Sequence, residues 1–455
     1  MPADSTADDA LLRGEADLFE AFEGAYRATP RLVGVESEKV AVFTDGAPLR
    51  YRATSGHPGV EDLLPRFVER YGWTPEVDKP GAPVLMLTRG RENITLEPGS
   101  QFELSGSPHA SLHALRDELA RHRDEVVAVG DEVGLRFLAL GFHPLAKQED
   151  LDWVPKPRYP IMRDYLPTRG PAAHDMMRRT ATAQVNFDVA SEADAMRKLR
   201  AALALSPVVT ALFANSAVVE GQRGAFKSRR ARVWLEMDPD RTGMLPFAWR
   251  ADASLGDYVR WALDAPMFIV KRGGEVTRAT HLTFRRYMAE GLGEHRATRG
   301  DWDIHIKTLF PEVRLGKTFE VRGADSVPLD YTAALAALWT GLLYDDDALA
   351  AVEDRLVPLG CEAWTEVRPA VGVEGLAARV RGTPLREYAA MALDLARRSL
   401  SRRAITDDLG RDESVLLDPL APLVERGQSV GDVVLGDWSA SMDDAVTALL
   451  DRARF

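Results

Sequence analysis

Strict alternation of polar and apolar side chains recurs in four separate segments, and it constrains the fold more than any other feature of the chain. In RENITLEPGSQFELSG, residues 91–106, Asn93, Thr95 and Glu97 share one face while Ile94 and Leu96 share the other. Beyond a Pro-Gly-Ser turn the pattern resumes, with Gln101, Glu103 and Ser105 opposite Phe102 and Leu104. The spacing predicts a β-hairpin with an acid on the polar face of each arm and no basic residue between them. RLVGVESEKVAVF (31–43) likewise puts Glu36 and Glu38 on one face. TATAQVNFDV (180–189) does so with Gln184 and Asn186, and KTFEVRGAD (317–325) with Glu320 and Arg322.

Any one of these strands suits the solvated face of an ordinary sheet. Together they are unusual in composition, because the polar positions are acids and amides with few cations among them. Five carboxylates brought to one sheet face repel one another and raise each other's pKa values. Hard divalent cations relieve that repulsion, and Mg²⁺ takes oxygen ligands from carboxylates and phosphates. An acid-lined sheet that needs metal ions is one physical reading of the hairpin.

Around these strands the spacing predicts helices. A helical start is expected over 10–27, and a helix over 108–133 that carries His109, His113 and His122 as solvated residues. RFLALGFHP reads as a buried strand ending at Pro144. DWVPKPRYPIMRDYLP (152–167) reads as a long ordered loop of the kind that rims a substrate site. SEAD at Ser191 signals a capping box, with the apolar run continuing through Phe213. After about residue 330 everything reads as helix, with Pro384 in a first turn and SMDDAVTALLDRARF at the end. No repeat or linker divides the chain. The expected fold is α+β, an antiparallel sheet surrounded by helices with a helical C-terminal third (330–455), with residues 1–455 expected to form a single catalytic domain.

Several function classes are disfavoured. A net charge of −12 and the lack of a basic stripe beyond FKSRRARVW (226–234) argue against nucleic acid as a partner. No apolar run approaches the roughly 18 residues of a membrane span, and MPADSTADDALL at the N-terminus is unlike a signal or transit peptide. A lone cysteine, Cys361, excludes an intrachain disulfide and suits a reducing cytosol, so a cytoplasmic location is expected. Neither a P-loop nor a Rossmann fingerprint nor H-E-x-x-H is present. A hydrolase serine elbow is not expected.

Longer motifs carry a resemblance. ITLEPGSQFELSGSP, MMRRTATAQVNFD, SEADAMRKLRAALALSP, ALFANS, DPDRTGMLPF, LFPEVRLGKTFEVRGAD and GLLYDDDAL together resemble the plant and proteobacterial type of glutamate–cysteine ligase, from about residue 15 to the C-terminus. The resemblance implies a glutamine-synthetase-like fold in which a curved antiparallel sheet forms a funnel that binds ATP and Mg²⁺. It further implies ligation of the L-glutamate γ-carboxylate to the amine of L-cysteine through an acyl phosphate, the first step of glutathione biosynthesis. By similarity, Glu36, Glu38, Glu97, Glu103 and Glu320 are metal ligands, with Gln184 and Asn186 near the nucleotide. Arg179, Arg230 and Trp234 bind glutamate, and Arg322 contacts the phosphate or acyl phosphate; Glu103 and Arg322 are the catalytic candidates.

The sequence departs from the plant pattern in lacking the paired cysteines of a redox switch, so no intramolecular thiol control is expected. Nothing in the residues fixes the amine pocket, which leaves a same-fold ligase acting on a different amine as the alternative, with an inactive binding protein behind it. The oligomeric expectation is a monomer or a homodimer.

Overall fold

The computed structural model describes residues 10–27, 29, 31–77, 79–436 and 442–455. Its centre is a nine-stranded antiparallel sheet that stays open. The strands are β1 (Val33–Phe43), β2 (Thr74–Glu76), β3 (Met86–Arg89), β4 (Glu92–Leu96), β5 (Phe102–Ser105), β6 (Leu135–Leu138), β7 (Thr182–Phe187), β8 (Val313–Leu315) and β9 (Phe319–Asp325). Their order is β8-β9-β7-β1-β5-β4-β3-β2, with β6 paired to the far half of β1. All four alternating segments form strands, and β9, β7, β1, β5 and β4 are consecutive neighbours.

The register aligns the polar positions into one patch. Glu38 lies opposite Glu103, Glu36 opposite both Gln184 and Ser105, Asn186 opposite Glu320, and Thr95 opposite Glu103. Because side chains alternate with a period of two, this register sends all of them to the same face. The other face is dry. Phe102 packs on Phe67 of α2 (Val60–Tyr71), on His122 of α3 (Leu112–Asp131) and on Phe137 of β6.

Helices α6 (Glu192–Leu212) and α11 (Leu329–Leu343) pack on the sheet as well. Ser191 caps α6 by accepting from the Asp194 N–H at 3.2 Å. Beyond α11 the chain is almost wholly helical, through α12 (Asp346–Leu356), α13 (Gly360–Glu374) and α14 (Leu385–Arg403). One buried apolar core runs from Leu18 to Phe455. Among the described residues no helix is long and apolar enough to cross a membrane.

Several expectations need correction. The first helix, α1, covers only Ala16–Glu23, and Leu11 instead bridges to Thr298 and stays 60% exposed. His109 precedes α3 and bridges to Val33, while His122 is fully buried on the dry face instead of solvated. Strand β6 stops at Leu138, six residues before Pro144, because the chain turns away to pair Gly141 with Asn215. The 152–167 segment is not a loop throughout, since it holds α4 (Tyr159–Tyr165), with Pro160 in its first turn where a missing N–H costs nothing. Pro384 is the N-cap of α14 and not a first-turn residue. Ser441 and the N-terminal residues 1–9 lie outside the described residues.

Candidate functional site

The turn between β4 and β5 decides where the acid face meets the rest of the site. The Gly99 backbone comes so close to α5 (Ala173–Arg179) that a Cβ there would lie 2.3 Å from the Arg178 carbonyl oxygen. Gln101 locks the contact. Its Oε1 accepts from the Gly99 N–H at 2.8 Å, and its Nε2 donates to the carbonyls of Met177 (3.2 Å) and Thr180 (2.9 Å). This docking sets Met176, Met177 and Thr180 beside Glu97.

The acid patch is buried, which a solvated sheet face is not. Glu103 is 0% exposed, Glu320 4% and Glu36 7%, with Glu38 and Glu97 half-buried. Glu36 accepts from Gln184 Nε2 at 3.0 Å and Asn186 Nδ2 at 3.3 Å. Burial and the nearby charge of Glu320 push its carboxyl up to about 7. Glu38 accepts from the Thr182 N–H at 2.9 Å, and burial together with Glu103 and Glu97 raises it well above the carboxylate range. Glu103 accepts from the Thr95 hydroxyl.

Glu320 differs from Glu36 and Glu38. Although burial opposes it, two guanidiniums hold its carboxyl below the usual range. Arg314 of β8 donates to it at 2.6 and 3.1 Å, and Arg322 donates both to it and to Gln184 Oε1. Arg314 is a site residue that the sequence reading missed. Its signal is the alternation of Val313, Arg314 and Leu315, which is too short on an edge strand to stand out.

Two spaces open from the patch. A wide crevice of about 470 Å³ is bordered by Glu36, Asn186, Arg314 and Glu320 on the sheet side and by Asp303 and Lys317 on the other. A narrow pocket of about 60 Å³ lies beyond Gln184, bordered by Glu38, Glu97, Arg230, Trp234 and Arg322. Tyr159 and Met162 of α4 and Met176 and Met177 complete the narrow pocket, so the 152–167 segment does contribute to the rim. Arg322 touches the patch and also lines the pocket.

Arg230 and Trp234 come from α7 (Arg229–Leu235), whose N-cap Ser228 accepts from the Ala231 N–H at 2.9 Å. Arg230 is buried and donates to the carbonyls of Arg322 (3.0 Å) and Gly323 (3.3 Å), with burial lowering its pKa. The Trp234 indole Nε1 is buried without a hydrogen-bond partner, an unsatisfied donor at the wall of the pocket. Arg179 is not brought to this pocket. It is held by Asp175 (3.3 Å) and Glu220 (3.1 Å) and stacks on Phe142.

The donor chemistry of the patch fits a hard divalent cation, because Glu36 and Glu38, buried together with raised pKa values, are stabilised by added positive charge. Among the described residues, however, no three acidic, histidine or cysteine side chains converge on one point. The set therefore suits ions shared between one or two carboxylates and bound phosphates, and not a closed protein cage. Residues 427–431 do spell G-x-S-x-G, against expectation. Ser429 is nevertheless a buried N-cap whose hydroxyl donates to Asp432 at 3.0 Å, so it is no nucleophile elbow.

The fold recurs in a solved structure. The structure resembles the glutamate–cysteine ligase (gshA) of Francisella tularensis, solved in complex with AMP, with a TM-score of 0.54 over 94% of this chain and 88% of that one. At 14% identity that likeness shows a shared fold. Sequence carries the assignment further. Residues 32–446 match Glutamate-cysteine ligase family 2 (GCS2). The chloroplastic glutamate–cysteine ligase of Brassica juncea is 40% identical over 92% of this chain and 80% of its own length. That of Arabidopsis thaliana is 39% identical over 92% and 79%. The chain belongs to glutamate–cysteine ligase family 2.

Proposed function

We propose that the protein joins the γ-carboxylate of L-glutamate to the amine of L-cysteine at the expense of ATP, giving γ-glutamylcysteine, ADP and phosphate. The observation that carries this reading is family membership combined with a buried acid patch lying between a wide crevice and a narrow pocket. The crevice has room for a nucleotide and the pocket for amino-acid side chains. The acid patch between them, where Arg322 joins Glu320 and Gln184, is where a γ-phosphate and a γ-carboxylate would meet.

In the first step a glutamate γ-carboxylate oxygen bonds to the γ-phosphorus as the bond to ADP breaks. In the second, the cysteine amine attacks the acyl carbon and phosphate leaves. Arg322 stands at that point and neutralises charge on the transferring oxygens, the main demand of phosphoryl transfer. Arg230 offers a planar fork to a substrate carboxylate, and the unsatisfied Trp234 N–H supplies a second donor. Gln184 and Asn186 hold Glu36 in place, Gln184 on the narrow-pocket side of the patch and Asn186 on the crevice side. Arg179, which its acidic partners hold away from the pocket, supports α5 in this reading. Mg²⁺, held by carboxylates drawn from Glu36, Glu38, Glu97, Glu103 and Glu320, would supply neutralisation of the phosphate charge.

The whole chain acts as one catalytic unit, in the cytosol, as a monomer or homodimer. The curated relatives are named chloroplastic, whereas the lone cysteine is the feature that supports a reducing compartment here. Phosphate release from ATP and Mg²⁺ tests the reading, with glutamate present and cysteine, 2-aminobutyrate, other amino acids or diamines added in turn. Release that requires glutamate and is fastest with cysteine is expected. A preference for another amine would move the protein to a different ligase reaction.

A further inference from the structure

Asp325 ends β9, the strand that carries Glu320 and Arg322, and it is 1% exposed. Its carboxylate accepts from three donors: the Asn215 N–H at 2.7 Å, the Ser216 hydroxyl at 2.6 Å and the Ser228 hydroxyl at 2.9 Å. Arg230 Nη1 lies 4.0 Å away. Both serines face two ways. Ser228 Oγ also accepts from the Ala231 N–H at 2.9 Å, and Ser216 Oγ accepts from the Arg230 N–H at 3.2 Å. Each hydroxyl gives its single proton to Asp325 and a lone pair to the first turn of α7.

The circuit closes through Arg230. Its guanidinium returns to the carbonyls of Arg322 and Gly323, where the pairing of β9 with β7 slips between Val321 and Ala324. Such a bulge re-aims the side chains around it. A Cβ on Gly323 would lie 2.7 Å from Thr210 Oγ1, and one on Gly141 would lie 2.4 Å from the Asp325 carboxyl carbon. The carboxylate is therefore boxed in by backbone and surrounded by donors.

We propose that Asp325 is a positioning residue that fixes helix α7 to the bulge of β9, so that Arg230 and Arg322 keep one relative placement across the narrow pocket. This rests on the reading that Arg230 binds the glutamate substrate. An ionised carboxylate is acceptor-only and satisfies every neighbour at once. An amide of the same shape turns an NH₂ group toward at least one of these donors, loosening α7 while leaving the sheet intact. A residue that only stabilised the helix would alter melting temperature and leave substrate affinities alone.

The test uses the full chain and compares Asp325→Asn, Ser216→Ala, Arg230→Lys and the double variant Asp325→Asn/Arg230→Lys. Initial rates are measured with glutamate, cysteine and ATP varied separately. Asp325→Asn is expected to raise KM for glutamate roughly 10- to 100-fold, the scale of one lost charge-assisted contact, with KM for ATP within about twofold of wild type. Ser216→Ala should shift the same constant in the same direction by a smaller factor, and it carries the test if Asp325→Asn does not fold. In the double variant, Asp325→Asn should add little to the effect of Arg230→Lys, because contacts that act through one another are not additive. Multiplying effects, or an unchanged glutamate KM in a folded Asp325→Asn protein, would overturn the proposal. An unchanged glutamate KM in Arg230→Lys would instead remove the reading of Arg230, and the positioning role with it.

Discussion

Glu38 of β1 and Glu103 of β5 are a directly opposed cross-strand pair at the centre of the sheet. Like charges so placed are destabilising, and Glu103 is among the charges that raise the Glu38 carboxyl. Added positive charge at this place would relieve the repulsion.

Glu103→Gln removes one charge of that pair without changing its shape. We expect turnover with Mg²⁺ and ATP to fall about 100-fold or more, the scale for losing an electrostatic partner in a water-poor site. The fold should stay intact, because the side chain keeps its shape. Steady-state ADP release alongside thermal denaturation decides it. Full turnover would remove Glu103 from the machinery.

Gly99→Ala probes the docking of the hairpin on α5. With a Cβ 2.3 Å from the Arg178 carbonyl oxygen, one of the two backbones has to move. A loss of about 1–3 kcal/mol of stability is expected, as for other overpacked positions, together with weaker use of both amino-acid substrates. Urea unfolding and substrate titrations measure the two effects. A variant as stable and active as wild type would show that the turn moves freely.

Buried histidines make stability depend on pH. Burial lowers His143 and His305 to about 3, and His122 well below its ordinary value. His143 Nδ1 accepts from the Ala146 N–H at 2.9 Å, which needs that nitrogen unprotonated, while His305 Nε2 donates to the Ala262 carbonyl at 2.7 Å and burial keeps its ring neutral. A depressed folded pKa gives stability that is present above the unfolded value near 6.5 and is lost as pH falls toward 3. The cost for each such ring is about 2 kcal/mol by pH 5. Urea midpoints at pH 7.5 and pH 5.0 should differ accordingly, and equal midpoints would contradict the neutral assignment.

Cys361 lies half-buried on α13, its sulfur beside the Thr365 hydroxyl, and burial raises its pKa. Activity should be the same before and after treatment with a disulfide-forming oxidant, and Cys361→Ser should match wild type. A large oxidant-dependent change in rate would reveal thiol control acting between chains.

What the sequence determined by itself was the four alternating segments as strands and their polar faces. Period-two alternation is local, so Glu36, Glu38, Glu97, Glu103, Gln184, Asn186 and Glu320 could be assigned to one kind of face before any pairing was known. The longer motifs added the family and its chemistry. Tertiary structure decided everything that depends on contacts distant in sequence. Register and strand order brought the acids together and buried them, although the same alternation also describes a wet sheet. Arg314 joined the site only because β8 pairs with β9, and Arg179 left the pocket because Asp175 and Glu220 hold it. His122 looked like one of several polar residues on a helix and proved to be core, since burial depends on what packs above a residue and not on its neighbours along the chain. The placement of Arg230 against Asp325 lies 95 residues apart in sequence, and only folding of α7 onto the end of β9 makes it.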